Sequence, residues 1–377
     1  MSRTALATIH LDALRGNLAR VRELAQGAKV MAVVKADGYG HGLERVARTL
    51  ADADALGVAA IADGQRLRAA GHRQRIVVLS GPDEAADLAE LRRLQLDAVI
   101  HHATQLDWLA ADRFAADHGG RPLRVWLKID TGMHRLGFAP EHAVEMYTKL
   151  RALPNVDADI ALMTHFAASD EFDNTLTAEQ IARFETATAG LPGARALANS
   201  AGVLGWPAAL GAVKAQGGTF STDDHWVRVG GLLYGLSVIE GKSGADLGFA
   251  SAMTLSTKLV AINWIQKGER VGYAATWQCP EDMCIGVAAI GYGDGYPRSA
   301  AAGTPVLIHG RRAPIIGRVS MDLITIDLRG VPEAQVGDRV VLWGRGLPVE
   351  EIAQHAGTIS YDLTCGMTKR VLFVEET

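Results

Sequence analysis

The sequence predicts an α/β fold, namely a (β/α)8 barrel of the TIM type followed by a mostly-β C-terminal domain. Before about residue 240, short β-rich runs alternate with amphipathic stretches, a pattern typical of βα units and a parallel sheet. About eight such units fit there, which favours a closed barrel over an open doubly wound sheet. No Gly-x-Gly-x-x-Gly motif is followed by an acidic residue about twenty positions later, which argues against a dinucleotide-binding fold. After about residue 247 the pattern changes to period-two alternation with Gly/Asp turns, which indicates a β-domain.

The β-rich runs of the first part are short and apolar, as expected of parallel strands that are buried on both faces. They are Val30–Val34, Ala55–Ala59, Arg75–Leu79, Ala98–Ile100, Leu123–Ile129, Ala158–Met163, Ala194–Ala198 and a run that ends near Val229. The stretches between the runs have the apolar periodicity of amphipathic helices. They are Leu43–Leu50, Asp63–Ala70, Asp83–Leu94, Thr104–Asp117, Glu141–Leu150 and Thr177–Thr188.

The second part is predicted to hold strands and one helix, Val349–Ala356. The strands are Met253–Ile262, Cys284–Ile290, Pro305–His309, Val319–Leu328 and Val336–Trp343. The turn-rich stretch Glu240–Asp246 is the predicted junction, so we expect domains at residues 1–246 and 247–377.

Composition narrows the class of protein. The chain has 377 residues and a formal net charge of -4, and it has no basic block, so neither a nucleic acid nor a membrane is expected as a partner. The N-terminus lacks a signal-peptide core, and no apolar run is long enough to span a bilayer. The three cysteines lack the spacing of a metal site and are expected to be small core residues. We therefore expect a cytoplasmic protein.

Lys35 is the first candidate for chemistry. It follows the apolar run Val30–Val34 and precedes the glycine-rich Ala36–Gly42. A dry strand end lowers the pKa of an amine and makes it a nucleophile that can form a Schiff base with an aldehyde or ketone. The alternative is a lysine that ends a strand and extends into water.

Other strand ends also carry polar groups. The catalytic face of a barrel lies at the C-terminal ends of its strands, so these groups are expected to converge on one opening. They are Lys128, Arg135, His165, Asn199, Ser200 and Arg228. Taken singly, His165 could be a buried core histidine and Arg135 a surface ion pair.

The late loops predict a phosphate site, because Ser200 offers a hydroxyl and Gly230 and Gly231 offer unshielded backbone N–H groups. A lysine imine, a phosphate site and a barrel together suggest pyridoxal 5'-phosphate. Arg228 is then the candidate partner of the ring nitrogen. Since arginine stays protonated, it leaves that nitrogen unprotonated, which suits an enzyme that only removes and returns a proton.

These stretches closely resemble the alanine racemase family, pyridoxal-phosphate isomerases with a barrel followed by a β-domain. The resemblance covers nearly the whole chain in the expected order. It is carried by Ala32–Gly42, Lys128–Gly137, Thr164–Ala167, Asn199–Ala201, Arg228–Gly235, Tyr273, Gly291–Tyr296, Arg318–Asp322 and Tyr361.

The resemblance implies a two-base mechanism. Lys35 would carry the cofactor as an aldimine and act as one acid/base, and Tyr273 of a partner subunit would act on the opposite face of Cα. A head-to-tail homodimer with two shared active sites follows, because a monomer would lack the second acid/base.

The resemblance also assigns supporting roles. His165 would bond to Arg228, and Arg228 to the pyridine nitrogen. Arg135 would contact the phenolic oxygen and the substrate carboxylate, with Lys128, at a position often carbamylated, accepting from it. The remaining cofactor-binding residues would be Tyr39, Asn199, Ser200, Gly230, Gly231 and Tyr361. The remaining substrate-side residues would be Met321 from the partner, the supporting Asp322, and an entrance of Asp170, Tyr292, Arg298 and Arg318.

Two stretches depart from the family pattern. The chain has Arg228-Val229-Gly230-Gly231 where the family has Arg-Pro-Gly-Ile, which makes the loop less rigid. The segment between Ser200 and Arg228, around residues 207–224, is also longer than is typical. It is either an inert surface loop or a change that alters the range of substrates.

The resemblance implies the interconversion of L- and D-alanine, which supplies D-alanine for peptidoglycan. The alternatives are a racemase for another small amino acid such as serine, a pyridoxal-phosphate decarboxylase, and a cofactor-binding barrel without activity. Arg228 and Tyr273 argue against the decarboxylase, and the β-domain argues against the inactive barrel.

Overall fold

The computed structural model describes residues 5–112, 121–211 and 225–377, and within these ranges eight parallel strands close into a barrel. The predicted fold class is confirmed. The barrel strands, numbered in chain order after a first strand described below, are β2 Lys29–Val33, β3 Ala55–Val58, β4 Arg75–Val78, β5 Asp97–Ile100, β6 Val125–Lys128, β7 Ala161–Met163, β8 Arg195–Ala196 and β9 His225–Val229.

The barrel closes because β9 pairs with β2, placing Arg228 beside Met31. Side chains alternate along each strand, so one set fills the interior and the other set packs under the helices. The interior set includes Met31, Val77, Trp126 and Trp226, each at most 4% exposed. The barrel centre is therefore packed, and the polar groups at the strand ends lie above a dry core.

Helices of the described residues cover the barrel and support the C-terminal domain. The predicted helix Thr104–Asp117 is present in its first part, and its residues 113–117 lie outside the described ranges. The helices are α1 Leu11–Leu24, α2 Lys35–Tyr39, α3 Leu43–Thr49, α4 Ile61–Ala69, α5 Asp87–Arg93, α6 Ala103–Ala111, α7 Ala143–Arg151, α8 Leu176–Ala187, α9 Ser200–Gly205, α10 Val349–Ala356 and α11 Ser360–Cys365. None of the helices that the structure describes is long and apolar enough to cross a membrane.

Helix α10 shows why its sequence prediction is confirmed residue for residue. Val349, Ile352, Ala353 and Ala356 are buried at the spacing of one helix face, and Gly357 ends the helix with a φ of 67°. Glycine adopts that left-handed conformation without strain, so the helix stops there.

The C-terminal domain contains an eight-stranded sheet among the described residues, in the order β13-β16-β15-β14-β17-β10-β1-β18. A further pairing of β13 with β10 closes six of these strands into a ring. Strands β11 and β12 form a separate two-stranded sheet. The strands are β1 Leu6–His10, β10 Met253–Ile265, β11 Arg270–Val271, β12 Trp277–Gln278, β13 Met283–Ala288, β14 Pro305–Ile308, β15 Arg311–Ile316, β16 Ile324–Asp327, β17 Arg339–Trp343 and β18 Leu372–Glu376.

The first strand belongs to this sheet and not to the barrel. Strand β1 runs antiparallel to β10 and parallel to β18. The predicted division at residues 246/247 assigns this strand to the barrel domain, so here the structure departs from it. The long segment around 207–224 is described only as far as residue 211, where Pro207–Leu210 forms a 3-10 turn.

Candidate active site

A cavity of about 660 Å³ opens at the C-terminal ends of the barrel strands. It brings together the residues that the sequence predicts at strand ends and several that only the resemblance implied. The predicted residues that line it are Lys35, Tyr39, Lys128, Arg135, His165, Asp170, Asn199, Ser200, Arg228, Gly230, Gly231 and Tyr361.

The short element α2, Lys35–Tyr39, follows β2 as a single left-handed turn, and it places Lys35 and Tyr39 at the same opening. Ala36, Asp37 and Gly38 have φ values of 52°, 53° and 63°. Non-glycine residues rarely adopt this conformation, so surrounding contacts must hold it. The Asp37 carboxylate does so by accepting hydrogen bonds from the Leu43 N–H and from Arg66, at 3.2 and 3.0 Å.

Burial lowers the pKa of the Lys35 amine, and the positive charge of Arg135 lowers it further. Burial likewise lowers the pKa of Lys128 to about 8, together with Arg228 and Arg135. Both effects favour the neutral amine, the form that acts as nucleophile or base. Lys35 is therefore poised for the role predicted from the sequence.

Arg228 is fixed at the back of the cavity and is 5% exposed. Its guanidinium donates to the backbone oxygen of Thr164 at 2.5 Å and to that of Ala196, and its Nη2 lies 3.4 Å from His165 Nδ1. Burial lowers the pKa of Arg228 to about 10, which leaves it charged near neutral pH. Burial, then Arg228 and other cations, lowers the pKa of His165 to about 3, so the imidazole is neutral and can accept from Arg228.

A polar cradle lies on the side of the cavity near the 3-10 turn Gly231–Tyr234. A Cβ on Gly230 would lie 2.3 Å from the Tyr39 hydroxyl, and a Cβ on Gly231 would lie 2.2 Å from the Tyr361 hydroxyl. The Gly230 N–H donates to Ser200 Oγ at 3.1 Å. Two phenol hydroxyls, a serine hydroxyl and bare glycine backbone thus meet where a side chain would not fit, a setting suited to an anion.

Asn199 lines the cavity, but its side-chain oxygen already accepts two hydrogen bonds from within the protein. Its Oδ1 caps helix α9 by accepting from the Gly202 N–H and also accepts from Ser169 Oγ, each at 2.9 Å. The structure supports Asn199 chiefly as the residue that orients the start of α9 and hence Ser200.

The remaining predicted residues lie on the C-terminal domain, outside the lining of this cavity. We call Tyr273, Tyr292, Arg318 and Met321 the tyrosine surface. Tyr273 is 68% exposed and Met321 is 52% exposed. Backbone contacts join the segments that carry these residues. The Tyr292 N–H donates to the Ser320 backbone oxygen at 3.1 Å, and a Cβ on Gly272 would lie 3.3 Å from the backbone nitrogen of Arg318. Of the two other predicted residues, Asp322 pairs with Arg370, and Arg298 is exposed.

Among the residues that line the cavity, sequence reasoning missed three with polar or thiol side chains, Ser80, Ser169 and Cys365. Ser80 could have been found, because it follows the end of β4 as Lys35 follows β2. The expectation that the cysteines are core residues is wrong for Cys365, which is exposed at the end of α11, whereas Cys279 is buried.

The family models for alanine racemase match almost the entire chain. The N-terminal domain model matches residues 9–238, and the C-terminal domain model matches residues 252–374. The chain belongs to the alanine racemase family. Alanine racemases from Shewanella baltica (strain OS155) and Nitrosococcus oceani are 48% and 49% identical to it, over 97% of each chain.

Solved structures of alanine racemases have the same fold. The biosynthetic enzyme from Pseudomonas aeruginosa superposes with a TM-score of 0.91 at 41% identity, covering 100% of both chains. The enzyme from Acinetobacter baumannii gives 0.90 at 33% identity, covering 99% of this chain and 100% of its own. The predicted activity, interconversion of L- and D-alanine by an isomerase, is confirmed at the level of the family. Supply of D-alanine for peptidoglycan is consistent with this membership.

Alanine racemases depend on pyridoxal phosphate, and the cavity fits that group. The cradle around Gly230 and Gly231 suits a phosphate, and Lys35 lies at the same opening. The charged Arg228 lines the same cavity. The donor set thus matches an aromatic aldehyde that carries a phosphate.

Proposed function

We propose that this alanine racemase family member moves the Cα proton of alanine between two acid/base groups, Lys35 and Tyr273 of a partner subunit. The observation that carries the proposal is a division within one chain. Lys35, Arg228 and the cradle line one cavity, whereas Tyr273 is 68% exposed on the other domain.

The cofactor would be held by the barrel together with Tyr361, which lies in helix α11 of the C-terminal domain of the same chain. Tyr39, Ser200, Tyr361 and the backbone of Gly230 and Gly231 would hold its phosphate. Arg228 would donate to its ring nitrogen, held in place by the neutral His165. When bound, pyridoxal phosphate would withdraw electrons from the substrate and acidify its Cα–H.

Arg228 would limit how far that withdrawal goes. A carboxylate at this position would keep the ring nitrogen protonated, whereas the guanidinium keeps its own proton even with the pKa lowered to about 10. The negative charge that builds at Cα would then be short-lived, so proton return competes well with other outcomes. This favours racemisation over decarboxylation.

Proton transfer requires one group on each face of Cα. Lys35 would remove or deliver the proton on one face, and Tyr273 of the partner subunit would do the reverse on the other face. Arg135, at the rim of the same cavity, would hold the substrate carboxylate with the backbone N–H of the partner's Met321. Lys128 lies at the end of β6 and would support Arg135. Asp322 would support the loop of Met321.

The homodimer is supported by the character of the tyrosine surface. Tyr273, Met321 and Tyr292 are large, mostly apolar side chains that are 68%, 52% and 39% exposed. Exposed apolar clusters of this kind mark interaction surfaces. Burial against the barrel opening of a second copy would cover them and would bring Tyr273 to the cavity.

The test is an assay of the purified protein with added pyridoxal phosphate. L-alanine should be converted to D-alanine, and L-serine should react more slowly in a parallel measurement. Release of carbon dioxide from either amino acid instead of the other enantiomer would refute the proposed chemistry.

A further inference from the structure

Gln180 on helix α8 is fully buried, at 0% exposure. Its Oε1 accepts from the Ala167 N–H at 2.9 Å. Its Nε2 donates to the His165 backbone oxygen at 3.1 Å and lies 3.3 Å from Thr131 Oγ1. Both N–H donors and the carbonyl of the amide are therefore in use, although nothing in the sequence singles this residue out.

The two loops that Gln180 contacts carry different parts of the active site. The loop after β6 begins with Asp130 and Thr131 and carries Arg135, at the rim of the cavity. The loop after β7 begins at Thr164 and carries His165. Arg228 in turn donates to the Thr164 backbone oxygen. Gln180 thus lies between the proposed substrate-carboxylate group and the proposed ring-nitrogen group.

Two further contacts join these loops to each other and to helix α8. Thr131 Oγ1 and Thr164 Oγ1 are 2.8 Å apart, so the two loops are also joined directly. Arg183, one turn after Gln180, donates to the Thr131 backbone oxygen at 3.0 Å. Helix α8 therefore contacts the loops after β6 and β7 through two side chains, the neutral Gln180 and the charged Arg183.

The charges around the cavity explain why a neutral link suits this place. Arg228 and Arg135 both lower the pKa of Lys128. The carboxylate of Asp130, which accepts from three N–H groups of its own loop, raises that pKa and so offsets part of the repulsion between these cations. A neutral amide can join the two loops without adding a further buried charge.

We propose that Gln180 is a positioning residue that fixes the distance between the Arg135 loop and the His165–Arg228 pair. It acts through the backbone and touches neither substrate nor cofactor. This rests on the proposed function, in which Arg135 binds the substrate carboxylate and Arg228 the cofactor ring.

The test compares Gln180→Leu, which removes the three hydrogen bonds, with a matched control on the same helix. The control is Thr177→Val, because Thr177 is also 0% exposed and its hydroxyl has no hydrogen-bond partner among the described residues. Gln180→Glu is a second variant. It keeps the acceptor for Ala167 but sets a carboxylate oxygen against the His165 carbonyl.

For both Gln180 variants we expect KM for L-alanine and Kd for pyridoxal phosphate to rise about tenfold or more, since misplacing a binding group by about 1 Å can cost 10²-fold. The cofactor Kd is measured by absorbance titration of the cofactor-free protein. Hydrogen exchange in that protein should also speed up at residues 131–138 and 164–167. Thr177→Val should match the wild type in all three readouts.

Phe184→Leu is the control for a general loss of stability. It changes a buried apolar side chain on the same helix and leaves the polar contacts of both loops in place. If Phe184→Leu and a Gln180 variant with equal loss of thermal stability show equal KM, Kd and loop exchange, the positioning role is refuted. Should Gln180→Leu not fold, Gln180→Glu and Thr131→Val give the same comparison. Failure of the wild type to racemise alanine would refute the proposed function, while cofactor Kd and loop exchange would still test Gln180.

Discussion

The barrel cavity and the tyrosine surface differ in how complete they are within a single chain. In the cavity, Arg228 is 5% exposed and tied to backbone oxygens, and Tyr39 is stacked on Tyr234 with ring centroids 4.7 Å apart. On the tyrosine surface, Tyr273 is 68% exposed and lies in a short 3-10 turn. The cavity is completed by the folding of one chain, whereas no hydrogen bond within residues 5–112, 121–211 and 225–377 fixes the Tyr273 side chain.

This difference separates cofactor binding from catalysis, two properties that are often treated as one. A group that is rigid in the isolated chain can bind a cofactor before any association takes place. A proton-transfer group that is exposed becomes useful only when an interface orders it. The expected consequence is a single chain that binds its cofactor in this cavity but gains catalysis through association.

The largest effect is expected from Lys35→Ala, which removes an amine from the barrel cavity. We expect kcat/KM to fall at least about 10⁴-fold in both directions, because one acid/base group alone contributes about 10²–10⁴-fold and the cofactor link is lost as well. The control is Lys29→Ala, an exposed lysine at the opposite end of the same strand. Retention of more than about one part in a hundred of the activity would contradict the assignment of Lys35.

The next largest effect is expected from Tyr273→Phe on the exposed surface. The rate should fall about 10²–10³-fold, with Cα proton exchange lost more from one enantiomer than from the other, because each base serves one face. The Kd for pyridoxal phosphate should not change. Trp264→Phe, at an aromatic residue of the same domain that is 66% exposed, is the matched control. Equal loss of exchange from both enantiomers would count against the two-base division.

A smaller effect is expected from Gly230→Ala in the cradle. The new Cβ would lie 2.3 Å from the Tyr39 hydroxyl, so Kd for pyridoxal phosphate should rise about tenfold as the tyrosine moves away. Gly16→Ala is the control, because a Cβ there meets nothing within 4 Å. An unchanged Kd in the titration would show that Tyr39 and Gly230 do not shape the phosphate site.

The last effect concerns the pH dependence of stability and leaves the chemistry of the site untouched. His165 has a folded-state pKa lowered to about 3 from 6.5, so the unfolded chain binds more protons between these values and stability falls as pH falls. From pH 7 to pH 5 this costs about 2 kcal/mol of unfolding free energy. Urea unfolding of cofactor-free protein should therefore show a smaller loss for His165→Asn than for wild type. The control His134→Asn, at a side chain 87% exposed, should lose as much as wild type, and equal losses in all three proteins would contradict the buried neutral imidazole.

The sequence predicts the cavity better than it predicts the contacts that shape it. Apolar runs fix where strands end, so Lys35, His165 and Arg228 could be placed at one opening from their positions alone. Tyr39, Tyr361 and Tyr273 needed the family resemblance, because a tyrosine in a turn has no periodicity. The left-handed turn at 36–38 was not predictable, since Ala36 and Asp37 normally avoid positive φ.

Long-range pairing accounts for the remaining differences in the fold. Strand β1 pairs with β10 and β18, which lie about 250 and 370 residues later in the chain, and local composition does not encode such partners. The strand Arg311–Ile316 was missed because its exposed arginines and proline mask its alternation. Gln180 was missed for a related reason, because its role comes from two loops that reach it only in the folded chain.

The most direct test of the account mixes two inactive proteins. Lys35→Ala and Tyr273→Phe chains are unfolded and refolded together, so that both kinds of subunit combine at random. A mixed dimer would have one active site with Lys35 from one chain and Tyr273 from the other, so about one quarter of the wild-type activity should return. Separately refolded chains are the control. No recovery in the mixture, with mixed dimers shown to be present, would contradict an active site shared between two subunits.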